Sequence, residues 1–180
     1  SPYANNNYKI EGELLRSYIK GKEIKPYFIN REKSYLLFPY YQKAKAELIS
    51  ENVLKEKYPN AFAYLSKFKT ELSNREDGKM IGREWYAFTY LKSMLDYERK
   101  KILTPTNSFR NSFYFDEVDK LYLTAGVSGG FGLILKDEHA TIYRAVVSIL
   151  NSKLLEFWVK KTSTALRGGY YSFEYRFIKD

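Results

Sequence analysis

The longest run of regular apolar spacing in this chain extends from Ile142 to Trp158, and it constrains what the remaining residues must supply. Ile142, Ala145, Val146, Ile149, Leu150, Leu154, Phe157 and Trp158 recur at three- and four-residue steps, which predicts one amphipathic helix opened by Asp137 or Thr141. Such a stripe needs a surface to cover, and the segments ahead of it supply strands. Phe113–Asp116, Leu121–Thr124 and Leu133–Leu135 are short aromatic or branched runs, the last preceded by the glycine-rich tract Gly126–Gly132. That tract lacks the Lys-Ser/Thr of a phosphate loop and leads into a strand pattern rather than a helix. It reads as a tight turn, with approach to a phosphate as the alternative.

Towards the N-terminus, Leu14–Ile29 reads as a helical turn stopped by Gly21 and an extended exit ahead of Pro26. Tyr35–Tyr41 reads as a strand ended by Pro39. Ser50 is placed to cap a helix running towards Tyr58, and Pro59 suits the first turn of the next, whose stripe is Ala61, Tyr64, Leu65, Phe68 and Leu72. Helices and strands alternate irregularly, so the expected class is α+β: a mixed, mainly antiparallel sheet packed with several helices. The 180 residues suit a single domain spanning 1–180.

Composition then narrows the chemistry. Aromatics at 18%, with 18 Tyr, exclude intrinsic disorder. The absence of Cys removes disulfides and thiolate chemistry, and a single His removes sites built from several imidazoles. His139, just ahead of the long stripe, reads as a helix-start residue. No apolar run approaches the ~18 residues of a membrane span and no signal pattern opens the chain, so a cytoplasmic protein without a membrane partner is expected. Ser1-Pro2 at the start and a patterned segment running to Asp180 suggest a piece of a larger protein. The formal charge of +9 is spread along the chain, five excess positive charges in residues 1–90 and four in the rest, as a folded surface facing a polyanion would have it.

One catalytic pattern bears weighing. Glu23-Ile24-Lys25 matches the acid, spacer and Lys of Mg²⁺-dependent nucleases, with Asp116 as a second acid, but no convincing Asp precedes it. Trp85 and the many tyrosines allow a subunit-docking domain as another alternative. What remains is a set of basic residues at element ends: Lys20, Lys22, Lys25, Arg83, Arg99, Lys100, Lys101, Arg110 and Arg167. Tyr170 and Tyr171 beside Gly168-Gly169 add aromatic faces that could stack on bases.

Taken in order, the segments LLRSYIKGKEIKPYFI at 14–29, YLLFPY at 35–40, YPNAFAYLSKFKTEL at 58–72, REWYAF at 83–88, KILTP at 101–105, FYFDE at 113–117, GVSGGFGLIL at 126–135, ILNSKLLEFWVKKTS at 149–163 and RGGYYSFEYRFIKD at 167–180 carry a resemblance. The chain resembles the TaqI-like C-terminal specificity domain, the target-recognition part of adenine-N6 DNA methyltransferases and type IIG restriction-modification enzymes. The resemblance implies a double-stranded DNA partner and a methyltransferase domain in the same polypeptide, with this chain an excised C-terminal part. Catalytic residues and metal would then be absent from this chain. S-adenosylmethionine, and Mg²⁺ where the parent also cuts, would belong to the parent enzyme. Base-reading residues follow no fixed motif in this family, so Ser108, Arg110, Asn111 and Arg167 are nominated on side-chain chemistry alone.

Overall fold

The structure is a computed structural model and describes residues 7–81, 84–90, 93–136 and 139–178. The chain forms two compact units, Ser1–Arg16 with Leu36–Leu95 and Ser17–Tyr35 with Asp96–Asp180. Its elements in order are β1 (Leu15–Tyr18), β2 (Ile24–Lys25), β3 (Phe28–Ile29), β4 (Ser34–Leu37), β5 (Tyr40–Gln42) and β6 (Ala46–Leu48), then α1 (Glu51–Lys57), α2 (Pro59–Lys67), α3 (Lys69–Ser73) and the single turn α4 (Arg75–Gly78). They continue with β7 (Lys101–Pro105), β8 (Asn107–Ser108), β9 (Tyr114–Asp116), β10 (Gly130–Leu133), α5 (Ala140–Leu150), α6 (Lys153–Thr162) and β11 (Tyr171–Ser172). The class is α+β, with small antiparallel sheets and several helices. Among the described residues no helix is long and apolar enough to cross a membrane.

In the first unit the helix starts fall where the sequence puts them, whereas the one strand expected over Tyr35–Tyr41 is two, β4 and β5, parted at Phe38-Pro39. Pro39 lies between β4 and β5, and Pro59 is the first residue of α2, where its missing N–H costs nothing. The two N–H groups that follow, of Asn60 and Ala61, donate to the Glu11 carboxylate at 2.9 Å each, so a residue far along the chain caps the helix. Ala61 and Leu65 then face Leu14, Ile49, Leu54, Trp85 and Tyr86 in one core. The helix stops at Phe68, short of the predicted stripe's end at Leu72. Tyr86 donates to the Ile49 carbonyl at 2.7 Å, and burial pushes its phenol up to about 12. Arg75 donates to the carbonyls of Leu72, Trp85 and Ala87, joining the end of the helices to the segment that carries the core aromatics. Trp85 is therefore core, not a docking surface.

The second unit is organised about β7, which lies between β10 and β9 in an antiparallel sheet. All five of its residues are buried because side chains on alternate faces meet different layers. Ile102 joins Phe113, Tyr143, Val147, Leu150, Val159 and Phe173 under the helices. Leu103 joins Ile19, Ile24, Leu121 and Leu123 on the other side. Lys101, expected at the surface, is 1% exposed, and its ammonium donates to Asp116 at 2.6 Å and to the Tyr97 carbonyl at 2.7 Å. The same carboxylate accepts the N–H groups of Lys120 and Leu121.

The structure changes three other expectations. Gly21 starts a 3-10 turn over Gly21–Glu23 instead of stopping a helix, and Leu15–Tyr18 ahead of it is extended. Leu121–Thr124 is extended but forms only an isolated bridge, Tyr122 with Tyr18. The long stripe is two helices, broken at Asn151-Ser152. Asn151 accepts from the Phe113 N–H and donates to the Phe113 carbonyl, pairing with the sheet segment as a neighbouring strand would, while Ser152 caps α6 by accepting from Leu155 N–H. The buried positions are Tyr143, Val147 and Leu150 on α5 and Val159 on α6, whereas Ile142, Ile149, Leu154, Phe157 and Trp158 of the predicted stripe are exposed.

Two stability outcomes follow from these contacts. Lys101→Met leaves a buried carboxylate without its cation and is expected to cost about 3–5 kcal/mol in urea denaturation, whereas an unchanged midpoint would show the pair to be dispensable. The second concerns Glu11: burial alone would raise its pKa, but the hydrogen bonds from Asn60, from its own N–H and from Ala61 prevail and lower it. Its contribution is thus fully present above the ordinary carboxylate pKa and fades as pH falls through the lowered value. Glu11→Gln should cost about 0.5–2 kcal/mol at neutral pH and nothing in strong acid, and a pH-independent difference would contradict this.

Candidate nucleic-acid interface

The site is built where β7 leaves the sheet of the second unit. Beyond Pro105, β8 pairs antiparallel with β11, Ser108 opposite Tyr171 and Asn107 opposite Ser172, which sets the segment from Asn107 to Phe109 beside the loop from Leu166 to Tyr170. On the opposite wall Gly21 donates its N–H to the Ser128 carbonyl at 2.9 Å. A Cβ at Gly21 would lie 2.1 Å from the Gly129 oxygen, so only glycine permits this approach. The result is a groove of about 630 Å³ whose basic lining is Lys20, Lys22, Lys25 and Arg167, with Ser108, Phe109 and Tyr170 beside them.

Glu23 holds the basic wall in shape. Its side chain is buried and accepts the Lys20 N–H at 2.6 Å and the Glu32 N–H at 2.7 Å, and its carbonyl takes the Asn30 N–H at 2.8 Å. The loop that displays Lys20, Lys22 and Lys25 is thereby closed on a carboxylate that faces inward. Glu32 lies 3.2 Å from Lys22 and 3.9 Å from Lys20, an exposed pairing worth little in water and replaceable by a stronger anion.

Of the nominated residues, the groove gathers Lys20, Lys22, Lys25, Ser108, Arg167 and Tyr170. Ser108 shares a hydrogen bond with the Ser112 hydroxyl. Arg110 is exposed next to the groove segment, and its charge helps lower the pKa of Glu156, chiefly set by the Lys160 hydrogen bond. Asn111 points inward: it is 2% exposed and its amide donates to the Leu150 carbonyl at the end of α5, which withdraws it from any groove contact. Lys101 is withdrawn by Asp116, as described. Arg99 and Lys100 are exposed at the start of β7, Arg99 lying 3.6 Å from Asp96, and neither lines the groove. Tyr171 is half-buried against the helix core with Lys160 over its ring. Arg83 lies outside the described residues.

Phe109 was not among the nominated residues, although a lone aromatic inside the polar tract Thr106–Ser112 was a signal for it. The carboxylates of the nuclease pattern do not converge on the groove: Glu23 and Asp116 each hold two backbone N–H groups, and Asp116 holds Lys101 as well. Among the described residues no group of three or more His, Asp or Glu is placed to hold a metal ion. Nor is the glycine tract a cradle. A Cβ at Gly129 or Gly130 would meet the backbone oxygens of Thr124 or Thr104, and their N–H groups bond to Gly126 and Thr124. His139 precedes α5 at its N-cap position without a side-chain cap.

The groove is a basic concavity mounted on a small sheet, with the Glu23 and Asp116 carboxylates turned to the chain's own N–H groups. The chain belongs to the family of TaqI-like C-terminal specificity domains, whose family model matches residues 16–180. It is also similar to the Type II methyltransferase M.MjaIV of Methanocaldococcus jannaschii, with 27% identity over 100 residues, 53% of this chain and 31% of the relative. The chain thus spans about a third of that relative's length.

Replacing Glu23 by Ala takes the carboxylate acceptor from the Lys20 and Glu32 N–H groups and should cost about 1 kcal/mol. Amide hydrogen exchange should locate the loss in the loop from Lys20 to Glu32. Exchange spread evenly over the second unit, with that loop still protected, would refute the bracing role.

Proposed function

We propose that this chain is a sequence-specific module for double-stranded DNA, serving an adenine-N6 DNA methyltransferase of a restriction-modification system, of the type IIG class where the parent also cleaves. The observation that carries this reading is the groove of the second unit. Four cations on two walls converge there with side chains that hydrogen-bond and stack, inside a chain that belongs to a specificity-domain family. Phosphates would engage Lys20, Lys22 and Lys25 and fix the register. Arg167, on the opposite wall, would offer its planar fork to a guanine edge, with Ser108 beside it.

Methyl transfer in this reading belongs to a separate methyltransferase domain of the same polypeptide, which would bind S-adenosylmethionine. In the glycine tract here Gly129 and Gly130 are closed by the carbonyls of Thr124 and Thr104, which leaves no cradle for that cofactor at those two positions. The partner domain also has a surface to meet. Ile149, Leu154, Phe157 and Trp158 leave a solvent-facing apolar face on α5 and α6, of the kind that marks protein contact. DNA held by the groove would be presented to the catalytic domain while the target base is turned out of the helix.

Duplex binding followed by fluorescence anisotropy against salt tests the reading. Each phosphate engaged contributes about −0.9 to the slope of log affinity against log salt, so Lys22→Ala with Lys25→Ala should make the slope shallower by about 1–2. A protein that binds no duplex, or whose slope ignores these substitutions, would remove the groove from DNA binding.

A further inference from the structure

We infer that Phe109 and Tyr170 form a stacking plate for an unpaired base, so that the groove favours DNA with one base already out of the helix over an intact duplex. The inference rests on the DNA-binding reading above and names the ligand of the same site more narrowly.

The two rings meet with centroids 3.6 Å apart and planes tilted by 36°. Apolar rings in contact normally bury each other, yet Phe109 remains 52% exposed and Tyr170 38% exposed, both on the lining of the groove. The mount is rigid. Phe109 follows β8, Tyr170 precedes β11, and those strands pair. Between Arg167 and Tyr170 the chain turns through Gly168 and Gly169 at φ of 76° and 80°, a left-handed path that favours glycine. The Phe109 ring lies over Gly169, 3.9 Å from where a Cβ would stand.

Around this plate stand Lys20, Lys22, Lys25 and Arg167. An aromatic face among cations is the arrangement that holds an unstacked base, because every base has a π-face and the flanking phosphates pair with the cations. In an intact duplex those faces are covered by neighbouring pairs and the plate can touch only edges. A base freed from its partner, or the partner left behind, would stack on the rings.

The test compares a duplex carrying one extrahelical 2-aminopurine with the same duplex without the bulge, using the 180-residue chain. The bulged duplex should bind about tenfold more tightly, the scale of stacking one base on an aromatic side chain, and 2-aminopurine fluorescence should fall on binding. Phe109→Leu with Tyr170→Leu keeps apolar bulk without a π-face. It should lose both the preference and the quenching while remaining folded by circular dichroism. Equal affinity for the two duplexes overturns the inference, as does a leucine variant that keeps the preference. Salt-dependent binding without preference would leave the groove reading standing, whereas no binding to either duplex would remove that reading as well.

Discussion

The second unit depends on a strand that has no solvent side. Every residue of β7 is buried, so its two faces must be covered by different layers and its one charge must be matched internally. Lys101 meets this demand by reaching Asp116 on β9, and Asp116 in turn takes the N–H groups of Lys120 and Leu121. One carboxylate therefore ties the central strand, its neighbour and the extended segment that lies against Ile19. A buried pair of this kind gives little net stability compared with apolar packing, but it penalises any register in which the charges do not meet.

Because β7 is fixed on both sides, what leaves its end is fixed too. Pro105 pairs with Gly130, and the chain runs directly through β8 to Phe109, so the groove begins where the most constrained strand stops. The opposite wall is positioned by close backbone approach. Gly21 against Gly129 brings the loop bearing Lys20, Lys22 and Lys25 to the same edge, and Glu23 closes that loop from inside. Flexible cationic side chains are thus displayed from backbone held by a carboxylate and by glycine contacts. This arrangement lowers the ordering cost of meeting a polyanion.

Much of this was legible in the sequence where local chemistry decides. Pro59 opened a helix, Pro39 ended a strand, and basic residues flanking Gly21 and Gly168 belonged to the groove. It was illegible where a distant partner decides. Nothing near Lys101 distinguishes it from Lys100, yet one faces Asp116 and the other solvent. Asn111 has the amide of a base reader, but the end of α5 takes it. The apolar spacing from Ile142 to Trp158 is continuous, and spacing alone cannot see the two hydrogen bonds between Asn151 and Phe113 that break it. The adjacent Asn-Ser pair, a good cap signal, was the one local hint.

That break connects fold to function. Continued as one straight helix from the buried positions Tyr143, Val147 and Leu150, the same spacing would point Leu154, Phe157 and Trp158 to the buried side. By restarting the helix at Ser152, the chain buries only Val159 fully from α6 and keeps the large side chains outside. Leaving a Trp and a Phe in water forgoes roughly 1.5–3 kcal/mol for the Phe alone and more for the larger indole. The Asn151 pairing with Phe113 stabilises the alternative geometry but recovers only part of that loss, since a net hydrogen bond contributes about 1 kcal/mol. In the proposed function these exposed side chains are the ones a neighbouring domain would cover. A neighbouring protein surface is the partner that could recover the burial.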